Sequence, residues 1–186
     1  MDIQEFFLDP LDGEAKYEEE GSYYAYIEKL PEGEKLIFSE GRTELFPKNR
    51  LIVGCSYDFI LRYYPQVTNL RLDSVVKFSI PRTWSQPQII TSQKNGYVTA
   101  CNSYGNKQKV YITNNENLQW WINVEISEEI EADKDFVGVR YYNVQIQRFP
   151  QDRFINWRNS FRTLIYSKDD GSYKVVPAGK TEKPVI

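Results

Sequence analysis

From residue 51 to 63 every odd position is apolar (Leu51, Val53, Cys55, Tyr57, Phe59, Leu61, Tyr63), and the even positions between them are mostly small or polar. From 68 to 80 the even positions take over, with Leu70, Leu72, Val76, Phe78 and Ile80 set against Asn69, Arg71, Asp73, Lys77 and Ser79. A period of two places alternate side chains on opposite faces of a strand, whereas a helix would scatter them round its surface. The pattern predicts two long strands. The turn residues Tyr64-Pro65-Gln66-Val67 between them predict one antiparallel hairpin, each strand with a dry and a wet face. At about 3.3 Å per residue such strands would reach roughly 43 Å, so the hairpin either bends at Gly54 and Ser74 or projects as an arm.

The rest of the chain reads as shorter hairpins. Tyr23–Ile27 and Lys35–Phe38 flank the turn Pro31-Glu32-Gly33-Glu34. Gln88–Gln93 and Tyr97–Asn102 are joined near Asn95-Gly96, a pair suited to the positive φ of a tight turn. Tyr104-Gly105-Asn106 turns into a strand at Lys109–Thr113, and Asn114–Asn117 turns again into Trp120–Ile126. In that last strand Trp120, Ile122, Val124 and Ile126 alternate with Trp121, Asn123 and Glu125, so one tryptophan points each way. A strand over 137–148 follows. Asp152 then suits a helix cap, and Phe154, Trp157, Phe161 and Leu164 recur at helical spacing. A final hairpin spans Thr163–Ser167 and Tyr173–Val176 around Asp169-Asp170-Gly171. The sum is a mainly β chain, an antiparallel meander of hairpins forming a barrel or sandwich, with about ten strands and one short helix near 152–162.

Composition sharpens this picture in three places. The 186 residues suit a single domain, with an acidic extension at 1–21 and a peripheral tail at 177–186. The 14 tyrosines, 10 phenylalanines and 4 tryptophans favour pleated, half-buried surfaces. Cys55 and Cys101 form neither a disulfide framework nor a metal-finger spacing, and read as small buried hydrophobes or, if their strands adjoin, as one bridge. The N-terminus shows no basic stretch leading into an apolar one, and no apolar run approaches the roughly 20 residues of a membrane span. Synthesis in the cytoplasm, with no secretory signal and no membrane partner, is the expectation.

Charge is segregated. The net of −3 divides into −9 over residues 1–44, from 13 acids and 4 bases, and +6 over the remainder. Residues 136–168 carry Arg140, Arg148, Arg153, Arg158, Arg162 and Lys168 against the single acid Asp152. Interleaved with aromatics, that segment has the composition of a single-stranded nucleic-acid groove, but an acidic chain with a pI near 5.2 repels phosphate at long range. Nucleic acid is therefore not the expected partner.

The chain has no histidine, which removes the commonest general base, the Ser-His and Cys-His pairs and most transition-metal sites. No phosphate loop or dinucleotide fingerprint is present, and no cofactor is implied. Glu125, Asp58 and Asp73 lie on strand segments and read as solvated residues rather than a glycosidase pair. The acidic run at 128–135 lacks the ligand order of a calcium loop. Trp84, Tyr97, Tyr111 and Trp121, with Tyr104, are the candidates for a stacking face, set against ordinary cross-strand packing.

The expectation for function is a non-enzymatic structural or assembly protein that contacts other subunits, copies of itself included, as virion or phage-tail components do. Glu18, Glu19 and Glu20 on one subunit would face Arg140, Arg148, Arg153, Arg158 and Arg162 on the next, and Tyr64 and Pro65 would tip the projecting arm. The alternatives are a calycin-like barrel enclosing an apolar or aromatic ligand among Phe59, Leu61, Leu72 and Trp120, and a carbohydrate-binding or carbohydrate-acting domain.

Overall fold

The computed structural model describes residues 37–48, 51–81, 83–114, 120–146, 161–168, 171 and 173–176. The strands in chain order are β1 (Ile37–Phe38), β2 (Arg42–Phe46), β3 (Ser56–Tyr64), β4 (Val75–Ile80) and β5 (Tyr97–Asn102). They continue with β6 (Lys109–Asn114), β7 (Trp120–Glu125), β8 (Val137–Gln145), β9 (Arg162–Tyr166) and β10 (Tyr173–Val175). The fold is all-β and sandwich-like, with no helix among the described residues. One sheet runs β2-β3-β8-β5, and the other runs β9-β4-β7-β6 with the short β10 and β1 added beyond β9.

The connectivity is a nest rather than a meander. β3 pairs with β8 in one sheet and β4 with β7 in the other. Innermost, β5 meets the stretch leading into β6 through the bridge Cys101↔Lys107; outermost, the Thr43 and Thr163 hydroxyls of β2 and β9 lie 2.7 Å apart. Such concentric pairs folded over into two sheets are the winding of a jelly roll. The β2/β9 and β5/β6 seams lack continuous ladders, so the sheets do not close into a barrel.

Register explains the core. Across the four-stranded sheet Leu45, Leu61, Val139 and Ala100 stand in one row, and Phe59, Tyr141 and Val98 in another. Across the larger sheet Val76, Val124 and Ile165 align, as do Phe78, Ile122 and Thr163. These rows face each other and form one buried apolar cluster. Each fully buried side chain contributes roughly 1.5–3 kcal/mol relative to exposure. At the end where β3 begins, Phe59 packs with Trp84 and Phe161 at centroid distances of 4.8 and 6.2 Å.

Several expectations are met. The β6–β7 and β9–β10 pairs are antiparallel as their turns predict, and Gly96, Gly105 and Gly171 take positive φ. On β3 Phe59, Leu61 and Tyr63 are buried, and on β4 Val76, Phe78 and Ile80 are.

Other expectations are overturned. β3 and β4 do not form one projecting hairpin; they lie in different sheets, and residues 65–74 cross between them. Alternation fixes which side chains share a face, not which strand lies alongside. The supposed wet face of β4 is dry too, since Lys77 and Ser79 are buried with Trp121, Asn123 and Leu164. Gln88–Gln93 is a loop, and β5 takes β8 as its antiparallel partner. Of the expected helix, residues 152–160 lie outside the described residues, and Arg162 opens β9 instead. Phe161 and Leu164, assigned to the helical stripe, are core and strand residues. The 23–27 strand and the extensions at 1–21 and 177–186 also lie outside the described residues. Cys55 is exposed, Cys101 is half-buried, and both are free thiols rather than buried hydrophobes or a bridge. The calycin alternative required a closed barrel with Leu72 inside, whereas Leu72 is 55% exposed.

Candidate functional site

The end of the sandwich where β8 finishes carries two loops held from within and tipped by isoleucines. The first spans residues 85–96. The Gln88 carboxamide organises it: Oε1 accepts from the Ile90 and Thr91 amides at 2.7 and 3.0 Å, and Nε2 donates to the Thr91 and Lys94 carbonyls at 2.7 and 3.3 Å. The Gln88 amide donates to the Gly96 carbonyl at 2.8 Å, which closes the loop on itself. Gly96 is required here, because its φ is +80° and a side chain would overlap the Gln86 carbonyl.

The loop is also fixed to β8. The Ser85 amide donates to Gln145 O at 3.1 Å, and the Gln145 amide donates to Ser85 Oγ at 2.9 Å. The buried Tyr141 hydroxyl donates to the Ser85 carbonyl, and Asn143 Nδ2 donates to Asn95 Oδ1 at 2.5 Å. Burial pushes the Tyr141 phenol far above its ordinary pKa, so it stays a donor at any working pH.

The second loop, 51–55, hangs from the same stretch of β8. The Ile146 amide donates to the Cys55 carbonyl at 3.1 Å, and the Ile52 amide donates to Tyr57 OH at 2.8 Å. Between them the loops present Ile90 at 88% exposure, Ile52 at 65% and Ile89 at 46%. Single exposed apolar residues are ordinary. Three β-branched residues on two internally bonded loops differ, because their order is already established and docking would cost little further entropy.

The residues singled out from sequence are dispersed. Trp84 and Trp121 are buried, Trp84 in the aromatic trio and Trp121 beside the Lys77 ammonium, 5.5 Å from its ring centroid. Tyr97 stacks on Tyr142 at 6.0 Å, and Tyr111 is 37% exposed on the separate β6 edge. These rings form no common platform.

Tyr64 lies between the Arg42 guanidinium, 4.2 Å from its ring, and Phe136, at 5.5 Å. Pro65 is buried, so neither residue tips an arm. Arg140 is exposed on β8 while Arg162 is buried, and the two do not share a surface. Arg148, Arg153, Arg158, Glu18, Glu19 and Glu20 lie outside the described residues.

In the 128–135 loop, Asp135 accepts hydrogen bonds from Ser103 Oγ at 2.7 Å and Tyr104 OH at 3.0 Å. The Ser103 bond, foremost, holds its carboxyl below the usual range. No cluster of three or more potential metal ligands occurs among the described residues.

The isoleucine loops were missed because Ile89-Ile90-Thr91 is a β-branched run. The available signal was that two consecutive isoleucines on a strand must point to opposite faces, and that Pro87 lies only two residues before the run.

The sequence matches no family model and no curated protein. Among solved structures, one similar chain is described as "AvmM Catalyzes Macrocyclization in Alchivemycin A Biosynthesis", with a TM-score of 0.37 and 9% sequence identity. The match covers 84% of this chain and 88% of that one.

Proposed function

We propose that this chain is a non-enzymatic assembly protein that associates with further copies of itself, using the Ile52 and Ile89-Ile90 loops as the apolar centre of the contact. The observation that carries this reading is the Gln88-organised loop, which holds Ile90 in water at 88% exposure. Burying such a side chain yields roughly 1.5–3 kcal/mol, so three of them can anchor an interface. The choice of a second copy rests on charge: −9 over residues 1–44 and +6 over the remainder suit a head-to-tail contact between identical subunits.

Light scattering and sedimentation velocity, run at low and high salt over a hundredfold concentration range, test the reading. The wild type should gain mass with concentration, most strongly at low salt, and Ile90→Asp should stay monomeric with an unchanged melting temperature. A wild type that remains monomeric throughout, or an Ile90→Asp variant that associates equally well, sinks the proposal.

A further inference from the structure

At the opposite end of the sandwich a cavity of about 360 Å³ opens between the β1–β2 turn, the β3–β4 crossing and the end of β9. That volume falls within the roughly 300–1,000 Å³ of small-molecule sites. Its wall is rich in hydroxyls, including those of Ser39, Tyr63, Ser74 and Ser167, and carries one carboxylate, Glu40, and one ammonium, Lys174. Leu70 and Ile165 add an apolar patch. The lining therefore has no net formal charge and many short, neutral hydrogen-bonding groups.

One part of this wall is built with a proton to spare. Ser39 Oγ accepts from the Gly41 amide at 3.1 Å and lies 2.7 Å from Tyr63 OH. Only one of those two hydroxyls donates to the other, so the second O–H remains to be satisfied. Both residues are buried, Ser39 at 6% and Tyr63 at 3% exposure, and both border the cavity. Buried donors are ordinarily paired, and the cavity that both residues border is where a further partner can enter. Gly41 permits the arrangement, because a methyl group at that position would overlap the Tyr63 ring.

We infer that this cavity binds a neutral polyhydroxylated molecule, a monosaccharide or cyclitol. Its hydroxyls would pair with the Ser39–Tyr63 couple and Ser74, and its C–H face would lie on Leu70 and Ile165. Glu40 and Lys174 offset each other in the formal charge of the lining, which therefore favours neither sign of charge. Burial keeps the Tyr63 phenol protonated, so the donor persists across the physiological range. The site lies at the other end of the molecule from the isoleucine loops and does not depend on self-association.

Saturation-transfer NMR on the full chain tests it, with methyl glucoside, methyl galactoside and myo-inositol as neutral probes, and with gluconate as the anionic and protonated ethanolamine as the cationic one. Transfer to at least one neutral probe is expected at millimolar concentration, with none to the charged pair. Ser167→Phe, which fills the mouth, should abolish the signal, and Ser39→Ala should weaken binding about five- to tenfold, the effect of one hydrogen bond. Thermal melts verify folding of both, and Thr68→Tyr on the exposed rim serves as the blocking variant if Ser167→Phe does not fold. No transfer to any neutral probe, equal transfer to the charged ones, or transfer undiminished by the blocking variant would overturn the inference.

Discussion

Tyr63→Phe should make the protein less stable at neutral pH and more stable at high pH, so the two stability curves must cross. At neutral pH the variant loses the hydroxyl paired with Ser39 and should unfold about 1 kcal/mol more easily, the net worth of one buried hydrogen bond. In the wild type, burial outweighs that bond and pushes the Tyr63 phenol from the ordinary value near 10 up to about 12. A folded-state pKa above the unfolded one means that the folded state holds the proton longer. The stabilisation is whole below pH 10 and is lost as pH rises from 10 toward 12, by roughly 3 kcal/mol in all. Phenylalanine carries no such linkage, while the other tyrosines titrate alike in both proteins. The curves should therefore cross at roughly pH 10–11. Urea unfolding followed by tryptophan fluorescence from pH 8 to 11.5 measures the difference directly. A variant whose curve runs parallel to the wild type and below it at every pH refutes the reasoning.

Phe59→Ala opens a hole in the Phe59–Trp84–Phe161 cluster and should cost about 3–5 kcal/mol in chemical denaturation, against under 0.5 kcal/mol for Leu72→Ala at its exposed position. Gly96→Ala forces a side chain into positive φ and against the Gln86 carbonyl, and should cost at least 1–3 kcal/mol while speeding amide exchange across residues 88–96. The Asp135 carboxyl, held low by Ser103 and Tyr104, contributes stability that is present above the usual aspartate pKa near 4 and lost as pH falls through the lower folded value. Asp135→Asn should accordingly flatten the acid limb of stability between pH 5 and 2; an unchanged slope would dismiss that role.

The β character was legible, and so was the inward face of β3 and β4, because period-two alternation follows directly from backbone geometry; β2 has no such run and was not read as a strand. The partners of those strands were not. Tyr64-Pro65-Gln66-Val67 has the composition of a hairpin turn, yet the chain there crosses from one sheet to the other. A turn and a crossing both need a bend and polar exposure, and nothing local separates them. Lys77, Ser79 and Asn123 looked wet because they are polar, while polarity alone does not report a second covered face. The isoleucine loop was concealed by β-branched composition, and its organiser, Gln88, is a common residue whose role appears only when four backbone groups converge on it. The cavity draws on the β1–β2 turn, the β3–β4 crossing and β9, so no short window of sequence contains it.

The nested order of pairs sets a timing problem during synthesis. Thr43 and Thr163 stand 120 residues apart, and at 5–20 residues per second the first waits about 6–24 s for the second to emerge from the ribosome. β4 has no strand partner until β7 follows, so Val75-Val76-Lys77-Phe78-Ser79-Ile80 spends about 2–10 s at that rate as a short, β-prone and largely apolar segment open to other nascent chains. Lys77 at its centre has the standing of a gatekeeper: in the finished molecule it is buried beside the Trp121 ring, and before the molecule is finished its charge keeps the segment apart from other chains. Lys77→Met should then leave more newly made chain in the pellet of a cell-free translation, even where the purified, folded variant melts no lower than the wild type.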